Sequence, residues 1–286
     1  MTSQKLNVYA LWCGYAIHDA DWNWKNVRSP FGRLYYVTKG EAQVTVTVGG
    51  KTHMVKLTPE HLYFIPPFVT HNDSCDGHFE HFYIHVYENP DEGVSLLEQF
   101  DFPFELPASS TDRGLFERLC RMNPFLTLPA SNPSTYDDHD TLVRNIRATL
   151  ARPFADKLES RGILFQLLAP FFRSATPRIV STDDRVQNAI AYIRHHLGDK
   201  LSIDILSTEA CLSKDHFIRL FRKETGETPA QCIIMRRIEM AQLLLVTTDM
   251  PVKAIADRLG FSDPSYFCRT FHRIVGSTPQ QYRDTM

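Results

Sequence analysis

Shifted by fifty residues against itself, the C-terminal part of this chain matches its own continuation. Phe217 falls on Phe267, Arg219 on Arg269, Phe221 on Phe271 and Lys223 on Arg273. Gly226, Thr228, Pro229 and Gln231 fall on Gly276, Thr278, Pro279 and Gln281. Eight correspondences in fifteen positions, several of them Gly, Pro or aromatic, mark a duplicated supersecondary unit. The later copy runs from Pro251 to Arg283. Val252, Ile255, Ala256 and Leu259 have helical spacing, and Gly260 can end that helix at positive φ. Asp263 and Pro264 make an N-cap and first-turn pair, after which Phe267 and Phe271 share one helix face. A short helix, a Gly-containing turn and a second helix form a helix-turn-helix candidate. The earlier copy, LSIDILSTEACLSKDHFIRLFRKETGETP, reads the same way, with Ser213 expected to cap its second helix.

One long helix, Pro229 to Val246, is predicted between the copies. Ile234, Ile238, Ala241 and Leu245 give it a stripe that can pack on both. A helix from Asp184 to Leu197, carrying Val186, Ile190 and Ile193, closes the first copy. Residues 183–286 are therefore expected to form an all-α domain with helix-turn-helix units at about 201–223 and 251–273. Residues 175–182, inside SATPRIVSTDD, are the expected linker.

The first half reads differently. Val44, Val46 and Val48 alternate with Thr45 and Thr47, a Gly49-Gly50 turn follows, and a second strand runs to Leu57. After Thr58-Pro59 come HLYFIPPFVTH, a turn-rich NDSCDGH and the strand-like FEHFYIHVY. Short strands at regular intervals predict a sandwich or barrel at about 30–90. Residues 88–134 show little periodicity. Helices are expected from Tyr136 to Leu150 and from about Asp156 to Arg173. The second carries an apolar stripe of Leu164, Leu167, Leu168 and Phe171, to be packed on the β-domain or paired with another subunit. The fold class is thus two-domain α+β, with a first domain over 1–174.

Composition excludes several classes. No run of about 18 apolar residues is available to span a membrane, and MTSQKLNVYA lacks a signal-peptide pattern, so a cytoplasmic protein is expected. The six cysteines have no metal-binding spacing and read as reduced thiols. The net charge of −2 divides into 17 basic and 20 acidic side chains in 1–182, and 14 and 13 in 183–286. Nucleic-acid binding then depends on whether the bases share one face.

The C-terminal domain, most specifically RRIEMAQLLL followed by Pro251 to Arg283, resembles the DNA-binding domain of the AraC/XylS transcription regulators. Upstream, Gly40, Ile65-Pro66-Pro67 with His71, and the Phe82–His85 strand resemble the cupin-like effector domain of the same family. The resemblance implies a cupin-like barrel with accessory helices, a homodimer, double-stranded DNA as partner, a small-molecule effector, and RNA polymerase as a further partner of an activator. It also sets two departures apart. Cys211 stands where the first turn usually has glycine, and Ile205 stands at a position that is often acidic.

Phe217, Leu220 and Phe221 turn inward, so the first recognition helix presents Asp215, Ile218, Arg219 and Arg222. The second presents Ser265, Cys268, Arg269 and His272, with Pro264 and Tyr266 at its start. Arg219 and Arg269, at equivalent repeat positions, are the expected guanine readers. Lys214, Arg222, Lys223 and Arg273 are the expected phosphate contacts. In the β-domain His81, Tyr83 and His85 share one strand face, and with Tyr36, Lys39 and His71 nearby they suggest a pocket for a polar ligand such as a sugar. Trp22 and Trp24 offer a stacking surface or a core contact. Metal-dependent cupin catalysis is the enzyme alternative, but the first hairpin lacks paired histidines, so no metal, cofactor or catalytic residue is assigned. A barrel that only dimerises, without effector, is the remaining alternative.

Overall fold

The computed structural model describes residues 7–48, 51–88, 95–133, 139–178 and 183–285. The Gly49-Gly50 turn, the expected helix start at Tyr136 and residues 179–182 of the expected linker lie outside them. The chain divides into two compact units, one ending at Pro177 and one running from Arg178 to Thr285.

The first unit contains β1 (Val8–Asp19), β2 (Trp24–Val27), β3 (Gly32–Gly40), β4 (Ala42–Val48), β5 (Lys51–Leu57), β6 (His61–Ile65), β7 (Thr70–Ser74) and β8 (His78–Glu88). After these come β9 (Phe100–Asp101), β10 (Glu105–Pro107), α1 (Asp112–Met122), α2 (His139–Ala151), α3 (Phe154–Ser174) and β11 (Thr176–Pro177). A five-stranded sheet runs β1-β8-β3-β6-β10 and a four-stranded sheet runs β2-β7-β4-β5. Their ladders are antiparallel, as hairpin-type connections allow.

Strand β8 shows why the sheet holds both a core and a site. It is buried on both faces. Phe82, Ile84 and Val86 face a core built with Phe116 and Leu119 of α1 and with Leu164, Leu167, Leu168 and Phe171 of α3. His81, Tyr83 and His85 take the opposite face by strand alternation. The apolar stripe of α3 therefore packs on its own sheet. The surface of α3 that stays open is a different one, with Phe154, Leu158 and Phe165 exposed.

Four expectations are corrected here. The sheet begins at Val8 rather than near residue 30, because β1, buried on both faces over much of its length, shows no polar alternation. Helix α1 lies inside the stretch that showed little periodicity. His71 to Ser74, read partly as turn, form β7, paired with β4 at Val46↔His71 and Val44↔Asp73. Thr176 and Pro177, assigned to the linker, pair with β9.

The second unit is helical: α4 (Asp184–His195), α5 (Ile203–Glu209), α6 (Lys214–Thr225), α7 (Pro229–Thr247), α8 (Val252–Arg258), α9 (Pro264–Val275) and α10 (Pro279–Thr285). The repeated Gly-x-Thr-Pro-x-Gln has a local cause. Gly226 and Gly276 end α6 and α9 in the left-handed region, φ 82° and 90°. Thr228 caps α7 through a reciprocal box with Gln231, and Thr278 and Gln281 repeat those bonds at α10.

Candidate nucleic-acid interface and ligand cavity

In the first helix-turn-helix, Leu206 anchors α5 and the chain turns through Cys211, whose amide donates to Thr208 O at 2.9 Å. In the second, Ile255 anchors α8 and Gly260 donates to Asp257 O at 3.0 Å. These pairs are offset by 49 residues, whereas Phe217 and Phe267 are offset by 50, so the second turn is one residue longer. Both turn residues adopt positive φ, 53° for Cys211 and 70° for Gly260. That conformation strains a residue with a Cβ.

Helices α6 and α9 then present matching surfaces. Phe217 and Phe221, like Phe267 and Phe271, are fully buried, and each pair meets edge to face at 5.7 and 5.8 Å. Between the buried rings, Arg219 and Arg269 are exposed at equivalent positions. Asp215, Arg222, Lys223, Ser265, His272 and Arg273 are also exposed, while Ile218, Pro264 and Cys268 are half-buried. Tyr266 is exposed, its ring 6.2 Å from that of Phe261. Lys214 makes an ion pair with Asp204 of α5. Asp263 caps α9, accepting from Ser265 N at 2.8 Å, and its other oxygen lies 3.7 Å from Arg269 Nη2. Ser213 occupies the corresponding N-cap position, but its side chain makes no capping bond, contrary to expectation.

Arg237 of α7 was not singled out from the sequence. It is buried, and it donates to Leu197 O, Asp199 O and Gly260 O at 3.0, 2.8 and 2.9 Å. Its guanidinium also lies 5.5 Å from the Phe261 ring centre. One side chain thus ties the end of the α4 region to the turn that positions α9. Burial lowers its pKa from the usual arginine range. The available signal was an arginine next to Ile238 in the otherwise apolar stripe of α7.

The first unit holds a cavity of about 230 Å³. Trp22, His81, Tyr83 and His85, four of the eight expected ligand residues, line it. The Trp22 ring lies 5.5 Å from His81 and 5.9 Å from Tyr35. Tyr83 accepts from Leu128 N at 2.9 Å through its hydroxyl. The other four expected residues are not in the lining. Tyr36 points to the helical core, its hydroxyl donating to Glu60 at 3.0 Å, because alternation along β3 gives the cavity side to Tyr35. Lys39 is exposed and pairs with Glu80 at 3.2 Å, beyond a register shift in β3. His71 is buried behind the lining and donates to Val69 O at 3.2 Å. Trp24 belongs to β2, outside the cavity.

Sequence reasoning missed Arg33 and Asp73. Arg33, buried in β3, donates to His85 Nε2 at 3.1 Å and to Ser29 Oγ at 2.7 Å. Asp73 is buried in β7, 3.8 Å from His71 Nε2, too far for a hydrogen bond. Burial pushes its carboxyl up to about 7, against the opposing pull of Arg33. Burial also lowers His71 and His81 to about 3, and it holds His85 well below the ordinary imidazole range. Asp73 Oδ1, His71 Nε2 and His81 Nδ1 find no hydrogen-bond partner among the described protein groups. The cavity therefore offers aromatic walls from Trp22, Tyr35 and Tyr83 together with polar side chains that include Asp21, Arg33, Asp73 and Ser131. Among the described residues no cluster of three or more His, Cys, Asp or Glu could hold a metal. No helix there is long and apolar enough to cross a membrane.

A family profile described as a helix-turn-helix domain matches residues 206–285. The SoxS regulatory protein of Escherichia coli (strain K12) is 36% identical over 98 residues, covering 34% of this chain and 92% of that protein. The arabinose operon regulatory protein of the same strain is 38% identical over 103 residues, covering 35% of each chain. The match thus spans about a third of that relative's length. The uncharacterized HTH-type transcriptional regulator YisR of Bacillus subtilis (strain 168) is 26% identical over 266 residues, covering 91% of this chain and 87% of the relative.

Proposed function

The chain belongs to the AraC/XylS family of DNA-binding transcription regulators, and from that premise we propose that it is a sequence-specific regulator that reads DNA with α6 and α9 and responds to a small molecule held in its first unit. One observation carries the DNA reading: Arg219 and Arg269 stand exposed at equivalent positions of two helices whose phenylalanines are buried alike. Helices so presented suit the major groove, and each arginine can be bidentate to a guanine. Arg222, Lys223 and Arg273 supply phosphate contacts, joined by Lys214 if DNA displaces Asp204. Asp215, Ile218, Pro264, Ser265 and Tyr266 border the bases. Family members act through DNA rather than by catalysis.

The cavity supports the effector reading. Its aromatic rings and polar lining side chains suit a polar ligand such as a sugar, in what we take to be a cupin-like barrel. The exposed Phe154, Leu158 and Phe165 on α3 support a homodimer. We place the protein in the cytoplasm, with RNA polymerase as a further partner if it activates.

The DNA reading is tested with Arg269→Ala. Binding to a duplex selected by the protein should weaken by roughly 1–3 kcal/mol, with a much smaller loss on random-sequence duplex at the same salt. Equal losses on both duplexes would leave Arg269 only a phosphate contact.

A further inference from the structure

The two recognition helices are alike in fold but differ in how their arginines are held. An exposed arginine samples many rotamers, and bidentate contact with a guanine requires the guanidinium plane in one orientation. At the start of α9 the Asp263 carboxylate is itself fixed, because one oxygen accepts from Ser265 N at 2.8 Å. The other oxygen faces Arg269 Nη2 at 3.7 Å, across the first turn and a half of the same helix. At the start of α6 the corresponding residue is Ser213, which has no carboxylate and makes no capping bond. The nearby Lys214 is drawn instead to Asp204 on the preceding helix. One of two duplicated arginines thus has an anchored counter-charge, and the other has a serine in its place.

We propose that Asp263 is a positioning residue for Arg269, restricting its orientation, so that the second recognition helix discriminates its base pair more strictly than the first. This rests on the reading of Arg269 as a base contact. The ion pair is exposed, so its expected effect is modest, and it appears in sequence choice rather than in overall affinity.

The test uses the full chain, a duplex selected by it from a random pool, and a random-sequence duplex, at one salt concentration. Asp263→Ser keeps an N-capping side chain while removing the charge. It should lower the ratio of selected to random binding by about threefold and relax preference at the base pair that Arg269→Ala also relaxes. In an Arg269→Ala background the same substitution should change the ratio no further. Asp263→Asn, which also caps, serves if the serine variant melts early. An unchanged ratio in both Asp263 variants overturns the proposal. So does an equal loss with and without Arg269, which would make Asp263 a contact in its own right. If Arg269→Ala weakens both duplexes equally, the underlying base-reading role fails, and the proposal fails with it.

Discussion

Single residues carry more of the second unit's rigidity than their number suggests. Arg237 satisfies three backbone carbonyls at once, from Leu197, Asp199 and Gly260. Truncating it removes these three bonds, leaving Asp199 O only the one from Leu201 N, and opens space beside Phe261. Arg237→Ala should therefore destabilise the unit by roughly 2–4 kcal/mol in urea unfolding. Arg237→Lys should recover only part of this, since one ammonium cannot reproduce the fork. A loss below about 0.5 kcal/mol would show the bonds to be incidental. The cavity residues illustrate what the sequence withheld. His81, Tyr83 and His85 were legible because period-two spacing on one strand is a local property. Tyr36 was misplaced because it and Tyr35 are adjacent aromatics, and only the register of β3 decides which of them faces the cavity. Asp73 was missed because Asn-Asp-Ser reads as turn, and only pairing with Val44 makes it strand.

At the level of elements, the duplicated unit was almost fully legible. Gly, Thr, Pro and Gln act through local backbone geometry, so their repetition could be recognised before any tertiary contact was known. The long central helix was legible for the same reason, and it ends at Thr247. Helix α1 was not, because only Phe116 and Leu119 of its apolar residues are fully buried, with Leu115, Cys120 and Met122 half-buried beside them, so its core stripe is short. The first turn carries a testable strain. Cys211 at φ 53° lies where Gly260 serves the second copy. Cys211→Gly should stabilise the second unit by about 0.5–1 kcal/mol, read as a higher urea midpoint with an unchanged slope. A destabilised variant would mean that the Cys211 side chain contributes more than its backbone strain costs.

The two units should answer pH differently. His71, His81 and His85 are buried in the first unit, whereas every histidine of the second is at least partly exposed. His71 and His81 stay neutral in the fold down to about pH 3, while unfolded histidine protonates near 6.5. Between these values the unfolded chain binds the extra protons, so the stability of the first unit falls as pH drops through 6.5. Asp73 acts in the opposite sense. Folded, it keeps its proton up to about pH 7, while the unfolded carboxyl loses it near 3.9, so it opposes folding increasingly as pH rises across that window. Calorimetry from pH 8 to pH 5 should show one transition moving down while the other holds its place. Asp73→Asn should gain stability over the parent at pH 8, with the gain fading towards pH 4. Parallel shifts of both transitions would contradict this assignment.

The difference of one residue between the two turns also has an evolutionary meaning. Added inside α8 or α9, one residue would rotate everything after it by about 100° and carry the outward arginine off its face. Added in the turn, it leaves the phase of the following helix intact. The turn is therefore the joint at which an ancestral duplicate could change length while its reading face stayed in step with its twin.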